Sequence, residues 1–280
     1  MKGIRYFELA MAVMAIASVC CAGEANEKHN GNAEFAQGLA YASGNGVERD
    51  LNKSAELYRK AAEAGNVRAM NNLGACYVDG VGVERDEAKA AEWYRKAAEQ
   101  GASLAQDNLG SMYLEGRGVE KSPAQAAEWF QKAAEQDFAN AQVHLGKLYY
   151  FGDTGVQKNY QEAARCLQEA ADHGNAWAQN TLGSMYQEGF GVKQDLNKAL
   201  EFYRKAADKG DAKAQSNLGF MYYEGLGVQR DVTVAYKWLT LSIRGGEITA
   251  AKMRVEVADR MKPDQIAEAE RQAADFKAAN

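Results

Sequence analysis

Proline, cysteine and histidine are all scarce in this chain: two, four and three residues respectively among 280. So little proline fits a mostly helical protein, and the composition, 46% hydrophobic and 25% charged, is neither disordered nor collagen-like. Basic residues are not in excess either, with 33 Lys and Arg against 38 Asp and Glu. Nucleic acid and anionic lipid demand clustered Lys and Arg, so neither is expected as the main partner. His29, His144 and His173 have no Cys, His or carboxylate companion at metal-ligand spacing, so no metal or other cofactor is expected. Ser-x-x-Lys occurs nowhere, and Gly110-Ser111 and Gly183-Ser184 lie inside expected helices rather than on a nucleophile elbow. No catalytic residue is assigned.

Long hydrophobic runs are missing too. The apolar run from Leu9 to Val19 follows Lys2 and Arg5, precedes small residues through Ala22, and is too short to span a bilayer. This is the layout of a secretory signal peptide over residues 1–22, with a short linker at 23–31. An N-terminal capping helix is the alternative. The expected location is periplasmic or secreted. Lipidation of Cys20 or Cys21 is less favoured, because Val19 and Cys20 stand where small Gly, Ala or Ser would precede a lipidated cysteine. Cleavage after Ala22 removes Lys2, Arg5 and Glu8 and leaves a formal charge of about −6. It also leaves only Cys76 and Cys166, on different helices of separate repeats, which are expected to be free and buried.

What the chain has in abundance is itself. The block Leu73-Gly74-x-x-Tyr77-x-x-Gly80-x-Gly82-Val83 returns with its second glycine at Gly82, Gly118, Gly155, Gly191 and Gly227, spaced by 36, 37, 36 and 36 residues. A degenerate copy carries Gly38, Tyr41, Gly44, Gly46 and Val47. A period of this length marks stacked helical hairpins. Arg68–Asp79 reads as a first helix with Ala69, Leu73 and Tyr77 on one face. The glycine pair breaks it, and Asp86 caps a second helix running to Gly101. Asp50, Ser122, Asn159, Asp195 and Asp231 stand at the same cap position. The large series Leu57, Trp93, Trp129, Cys166, Phe202 and Trp238, and the Ala97-Ala98 pair with its counterparts, are assigned to packing. The extra residue in Phe151-Gly152-Asp153-Thr154-Gly155-Val156 should only lengthen a turn. The fold expected is an all-α, right-handed α-solenoid, with six repeats over 32–246 and a partial repeat plus capping helix over 247–280. Within that end, helices are expected at Ile248–Arg260 and Asp264–Lys277, the second with Ile266, Ala273 and Phe276 inward.

The residues Ala69, Leu73, Gly74, Tyr77, Gly80, Gly82, Val83, Asp86, Lys89, Ala90, Trp93, Lys96, Ala97, Ala98 and Gly101, with their counterparts through Gly246, resemble the Sel1-like repeat family, relatives of tetratricopeptide repeats. The resemblance extends over roughly residues 32–276. It implies an adaptor, and for an exported bacterial member a role in the envelope or in host contact. One branch of that family, rich in cysteine, is linked to penicillin binding and β-lactamase activity. The hallmark of that branch is a disulfide in each repeat, which this chain lacks.

Repeating residues are explained by packing and turns, so recognition is sought in those that do not repeat. First helices are expected to line a concave side, and their variable inward positions become aromatic in the C-terminal half. Tyr150, Phe151, Trp177, Phe220 and Tyr223 are the candidate anchors, and Asn71 and Asn180 offer amides able to both donate and accept. Gap-filling between helices is the competing reading of the aromatics. The function expected is a monomeric, non-enzymatic scaffold binding a peptide or partner protein. A peptidoglycan-fragment-binding module is the alternative, and a β-lactamase-like enzyme a more remote one.

Overall fold

In the computed structural model, residues 30–278 are described; the signal-peptide and lipidation readings fall on residues outside that range. Among the described residues there are fourteen α-helices and no strand. The chain forms two compact units divided after Gln136. The first holds α1 (Asn32–Ser43), α2 (Leu51–Glu63), α3 (Val67–Asp79), α4 (Glu87–Glu99), α5 (Ser103–Glu115) and α6 (Pro123–Ala134). The second holds α7 (Ala139–Phe151), α8 (Tyr160–Asp172), α9 (Ala176–Glu188), α10 (Leu196–Asp208), α11 (Ala212–Glu224) and α12 (Val232–Arg244), then α13 (Ala250–Ala258) and α14 (Pro263–Ala274). Each unit is a run of α-solenoid, three helical hairpins packed one on the next, with α13 and α14 closing the second against α12.

Local chemistry sets the hairpin. The side chains of Asp50, Asp86, Ser122, Asn159, Asp195 and Asp231 all accept a backbone N–H from the first turn of the second helix, as their residue types at that offset require. Each cap residue is also tied back to the first helix, for instance by the Asp86 N–H donating to the Tyr77 carbonyl at 2.9 Å. The inserted residue of the fourth repeat leaves that tie intact: the Asn159 N–H donates to the Tyr149 carbonyl at 2.8 Å, and the surplus is taken up in a small bridge between Asp153 and Val156. First helices also have caps that sequence reading passed over, at Asn66, Asn175 and Asp211.

Packing within a hairpin centres on the Leu-Gly pair. Leu73, Leu109, Leu145, Leu182 and Leu218 are all essentially inaccessible, each stabilising its repeat by about 1.5–3 kcal/mol. A Cβ at Gly74 would stand 2.7 Å from the Tyr94 ring, and Gly110, Gly146, Gly183 and Gly219 meet Phe130, Leu167, Tyr203 and Leu239 in the same way. Leu57, Cys166, Phe202 and Trp238 of the large series are buried, in keeping with their assignment to packing. The residue facing the glycine is the one after the Trp93 series, while Trp93 and Trp129 are half-exposed with Lys96 and Lys132 each 4.0 Å from their ring centroids.

Repeats are joined to their neighbours by backbone contact and by buried amides. At Gly82, φ +70, a Cβ would overlap the Leu51 carbonyl oxygen at the start of α2, so only glycine lets this turn rest on the preceding repeat. Gln106, Gln179 and Gln215 donate from the next first helix to the carbonyls of Ala98, Ala171 and Ala207, adding a second donor to helix-end carbonyls that already accept from Gly101, Gly174 and Gly210.

The closing segment is shorter than expected. α13 spans Ala250–Ala258 rather than 248–260, leaving Ile248 76% exposed, and α14 ends at Ala274 with Pro263 in its first turn. Ala273 is buried, and Ile266 and Phe276 are partly buried against the core, Phe276 edge-on to Trp238 at 5.5 Å. Cys76 and Cys166 are buried free thiols, as expected.

Candidate functional site

In the second unit the first helices α7, α9 and α11 and the segment before α13 enclose a groove of about 350 Å³. Tyr150 and Phe151 come from the last turn of α7, Trp177, Asn180, Thr181 and Ser184 from α9, and Lys213, Ser216 and Asn217 from α11, with Glu247 and Thr249 from the segment after α12. Spacing explains the set: residues three and four apart on α9 share one face, so Trp177, Asn180, Thr181 and Ser184 all point into it.

One end of the groove is aromatic. The Tyr150 ring stands edge-on to Phe151 at 4.9 Å and to Tyr160 at 5.4 Å, and Tyr160 stacks on Phe190 at 5.0 Å. Phe151 is 63% exposed and Phe190 39%. Burial pushes the Tyr150 phenol above its ordinary pKa, and the Tyr160 hydroxyl adds to that, so Tyr150 is a neutral hydrogen-bonding group here. The Lys147 ammonium lies 4.8 Å from the Trp177 ring centroid.

The floor and far end are polar. Asn217 donates through Nδ2 to the Asn180 Oδ1 at 3.0 Å, and the Thr181 hydroxyl donates to the Trp177 carbonyl at 2.8 Å. The Glu247 carboxylate accepts from the Thr249 hydroxyl; that bond, then the Thr249 backbone N–H and last the charge of Lys213, hold it below the usual carboxylate range.

Four of the seven candidate residues therefore converge: Tyr150, Phe151, Trp177 and Asn180. The other three do not join them. Tyr223 is 6% exposed and packs with Tyr236, Leu239 and Val257 under Arg230 and Arg260, because α12 to α14 cover the side of α11 that carries it. Phe220 is half-buried on α11 and is not among the lining residues. Asn71 belongs to the first unit, 5% exposed, its Oδ1 accepting from Asn108 Nδ2 at 3.0 Å. It repeats the Asn217-to-Asn180 bond, so this amide pair is part of how neighbouring first helices join as well as groove floor. Glu247 and Thr249 were missed, since only the return of the chain after α12 brings them beside α9.

The first unit has a roomier hollow of about 610 Å³ lined by Tyr41 and residues 48–53, where Lys53 lies 4.2 Å from the Tyr41 ring centroid. It is almost wholly one hairpin loop, with charged walls and a single aromatic. Among the described residues no group of His, Cys, Asp and Glu is placed to hold a metal ion, and no helix is long and apolar enough to cross a membrane.

The Sel1 repeat profile matches six segments, residues 32–66, 67–101, 103–138, 139–175, 178–211 and 212–247. Among solved structures, a Sel1 repeat protein from Oxalobacter formigenes is 37% identical over 81% of this chain and 66% of its own, with a TM-score of 0.68. A protective antigen present in uropathogenic Escherichia coli strains, displaying an SLR fold, is 30% identical over 89% of this chain and 69% of its own, with a TM-score of 0.42. An immunity protein from Pseudomonas aeruginosa is 24% identical over 81% of this chain and 88% of its own, with a TM-score of 0.42. The chain thus spans just under two thirds of the Oxalobacter formigenes structure. No curated protein matches the chain.

Proposed function

The chain belongs to the Sel1 repeat family, and from that premise we propose that it is a non-enzymatic, monomeric binding module of the bacterial envelope or secreted fraction, which takes an extended segment of a partner protein in the groove of its second unit. The observation that carries this reading is the convergence of Tyr150, Phe151 and Trp177, aromatics that the repeat does not require, together with Asn180, on one groove with a polar far end. Aromatic anchors beside amides and hydroxyls suit a peptide, whose side chains pack on the rings while its backbone needs hydrogen-bond partners. The export reading rests on the apolar run before Ala22. The non-enzymatic reading draws on the lack of Ser-x-x-Lys, and nitrocefin turnover lost on a point substitution would overturn it.

Replacing Trp177 by Ala should abolish capture of the native partner from an envelope extract while leaving helicity unchanged. Tyr223 is unsuited to this test because it is buried in the core. Capture that survives Trp177→Ala would sink the reading. The same groove also supports the peptidoglycan alternative, because Trp177 beside Ser184, Ser216 and Asn217 would suit a sugar face and its hydroxyls. Capture lost after muramidase digestion of the extract would favour that alternative.

A further inference from the structure

The sequence holds two Asn-Gly dipeptides, Asn30-Gly31 and Asn45-Gly46, and the fold treats them in opposite ways. Gly31 is buried against the last turn of α2, where a Cβ would stand 2.6 Å from the Ala61 Cα and 2.7 Å from its carbonyl oxygen. Its own carbonyl accepts from the Phe35 N–H at 2.9 Å, which fixes it at the start of α1, and the side-chain oxygen of Asn30 is buried beside it. This peptide cannot rotate without pushing on the backbone of α2.

Asn45-Gly46 is held by nothing of that kind. Both residues are exposed, and at Gly46, φ +75, a Cβ would meet nothing within 4 Å. The corresponding glycines of later repeats, Gly82, Gly118, Gly191 and Gly227, lie against the carbonyls of Leu51, Glu87, Tyr160 and Leu196, and the residues before them are Val81, Arg117, Phe190 and Leu226. Among the described residues the Asn45 side chain has no hydrogen-bond partner, and the Gly46 N–H donates to no carbonyl. In the comparable acidic dipeptide, Asp79-Gly80, the glycine N–H is committed to the Cys76 carbonyl. Asparagine thus precedes an open turn glycine at residue 45 and a pinned one at residue 30.

We propose that Asn45 is a site of spontaneous deamidation and isoaspartate formation. The Gly46 backbone nitrogen loses its proton and attacks the Asn45 Cγ; the new C–N bond closes a five-membered succinimide, and Nδ2 departs with that proton as ammonia. Glycine permits the approach because no Cβ stands in the way. Water then opens the ring. Addition at the Asn45 main-chain carbonyl gives isoaspartate, addition at Cγ gives aspartate, and no redox change occurs. Either product adds a negative charge to the loop. The helices should not respond, because the turn is tied on both sides of the altered bond: the Asn45 N–H donates to the Ala40 carbonyl at 3.2 Å, and the Asp50 N–H to the Tyr41 carbonyl at 3.0 Å.

Ageing of the folded full chain at mildly alkaline pH in heavy-oxygen water, followed by peptide mass mapping, tests this. Asn45 should convert at least tenfold faster than Asn30, with isoaspartate exceeding aspartate, one heavy oxygen taken up and circular dichroism unchanged. In denaturant the two rates should converge, because the protection of Asn30 comes from the fold. Equal rates in the folded chain, or no conversion at Asn45, overturn the proposal. Aspartate as the sole product overturns it too, since direct hydrolysis needs no attack by Gly46. Asn30 remaining slow after unfolding would remove the fold as the cause of the difference. Asn45→Gln, which must close a larger ring, should abolish the acidic shift of the aged protein on isoelectric focusing; a shift that persists places the reaction elsewhere and overturns the assignment.

Discussion

If the second glycine of each turn exists for contact between repeats, then Gly82→Ala and Gly101→Ala must differ sharply, although both glycines have positive φ. At Gly101, φ +88, a new Cβ would meet nothing within 4 Å, so the substitution costs only left-handed strain, about 1–2 kcal/mol. At Gly82, φ +70, the same strain is joined by overlap with the Leu51 carbonyl oxygen and an approach of 3.1 Å to the Ala55 Cβ. A backbone carbonyl in the first turn of α2 cannot move aside as a side chain would. Overpacking of this kind costs about 1–3 kcal/mol even where neighbours yield, so Gly82→Ala should lose at least about 1 kcal/mol more than Gly101→Ala. Urea denaturation followed by circular dichroism gives the difference, and hydrogen exchange gives its location. Gly82→Ala should speed exchange in α2 as well as in its own turn, because stability in a repeat array passes between neighbours. Equal losses for the two variants, or protection of α2 unchanged in Gly82→Ala, would refute the account.

Two further outcomes concern titratable groups. Burial pushes the thiols of Cys76 and Cys166 up to about 12 and about 11, so at pH 8 both should resist alkylation in the folded chain and react once it is denatured, read by peptide mass mapping. The Asp137 carboxyl accepts from Gln142 and lies 2.9 Å from the His173 Nε2, and these contacts, His173 first, hold it below its ordinary range. A depressed folded value means that its contribution is present above the unfolded carboxylate pKa and is lost as pH falls through the folded one, below about pH 4. His173→Ala should therefore raise the Asp137 midpoint measured by carbon NMR, and an unchanged midpoint would remove His173 as the cause.

Much of the hairpin was legible in the sequence because its determinants are local. A cap such as Asn159 or Asp195 acts on N–H groups two or three residues away, and residue type at that offset is enough to place it. Even the extra residue of the fourth repeat could be assigned to a turn, since the tie from Asn159 to Tyr149 depends only on where the two helices start and stop. The packing role expected of Trp93 was not met, because one step along a helix matters. Trp93 and Tyr94 are adjacent, yet about 100° of rotation separates a half-exposed ring from the one packed on Gly74. Tyr223 failed for a different reason: its position on the repeat matched that of Tyr150, but α12 to α14 cover one and leave the other in the groove.

The period, the helix limits to within a few residues, the caps, the glycine turns and the excess of aromatics in the later first helices were all fixed by sequence, because each follows from interactions spanning a few residues or from repetition itself. Tertiary structure alone decided which aromatics are available. Exposure of a first-helix side chain depends on what the next hairpin and the closing helices place over it, which is why Tyr150, Phe151 and Trp177 face a groove completed by Lys213, Glu247 and Thr249 while Tyr223 lies in the core.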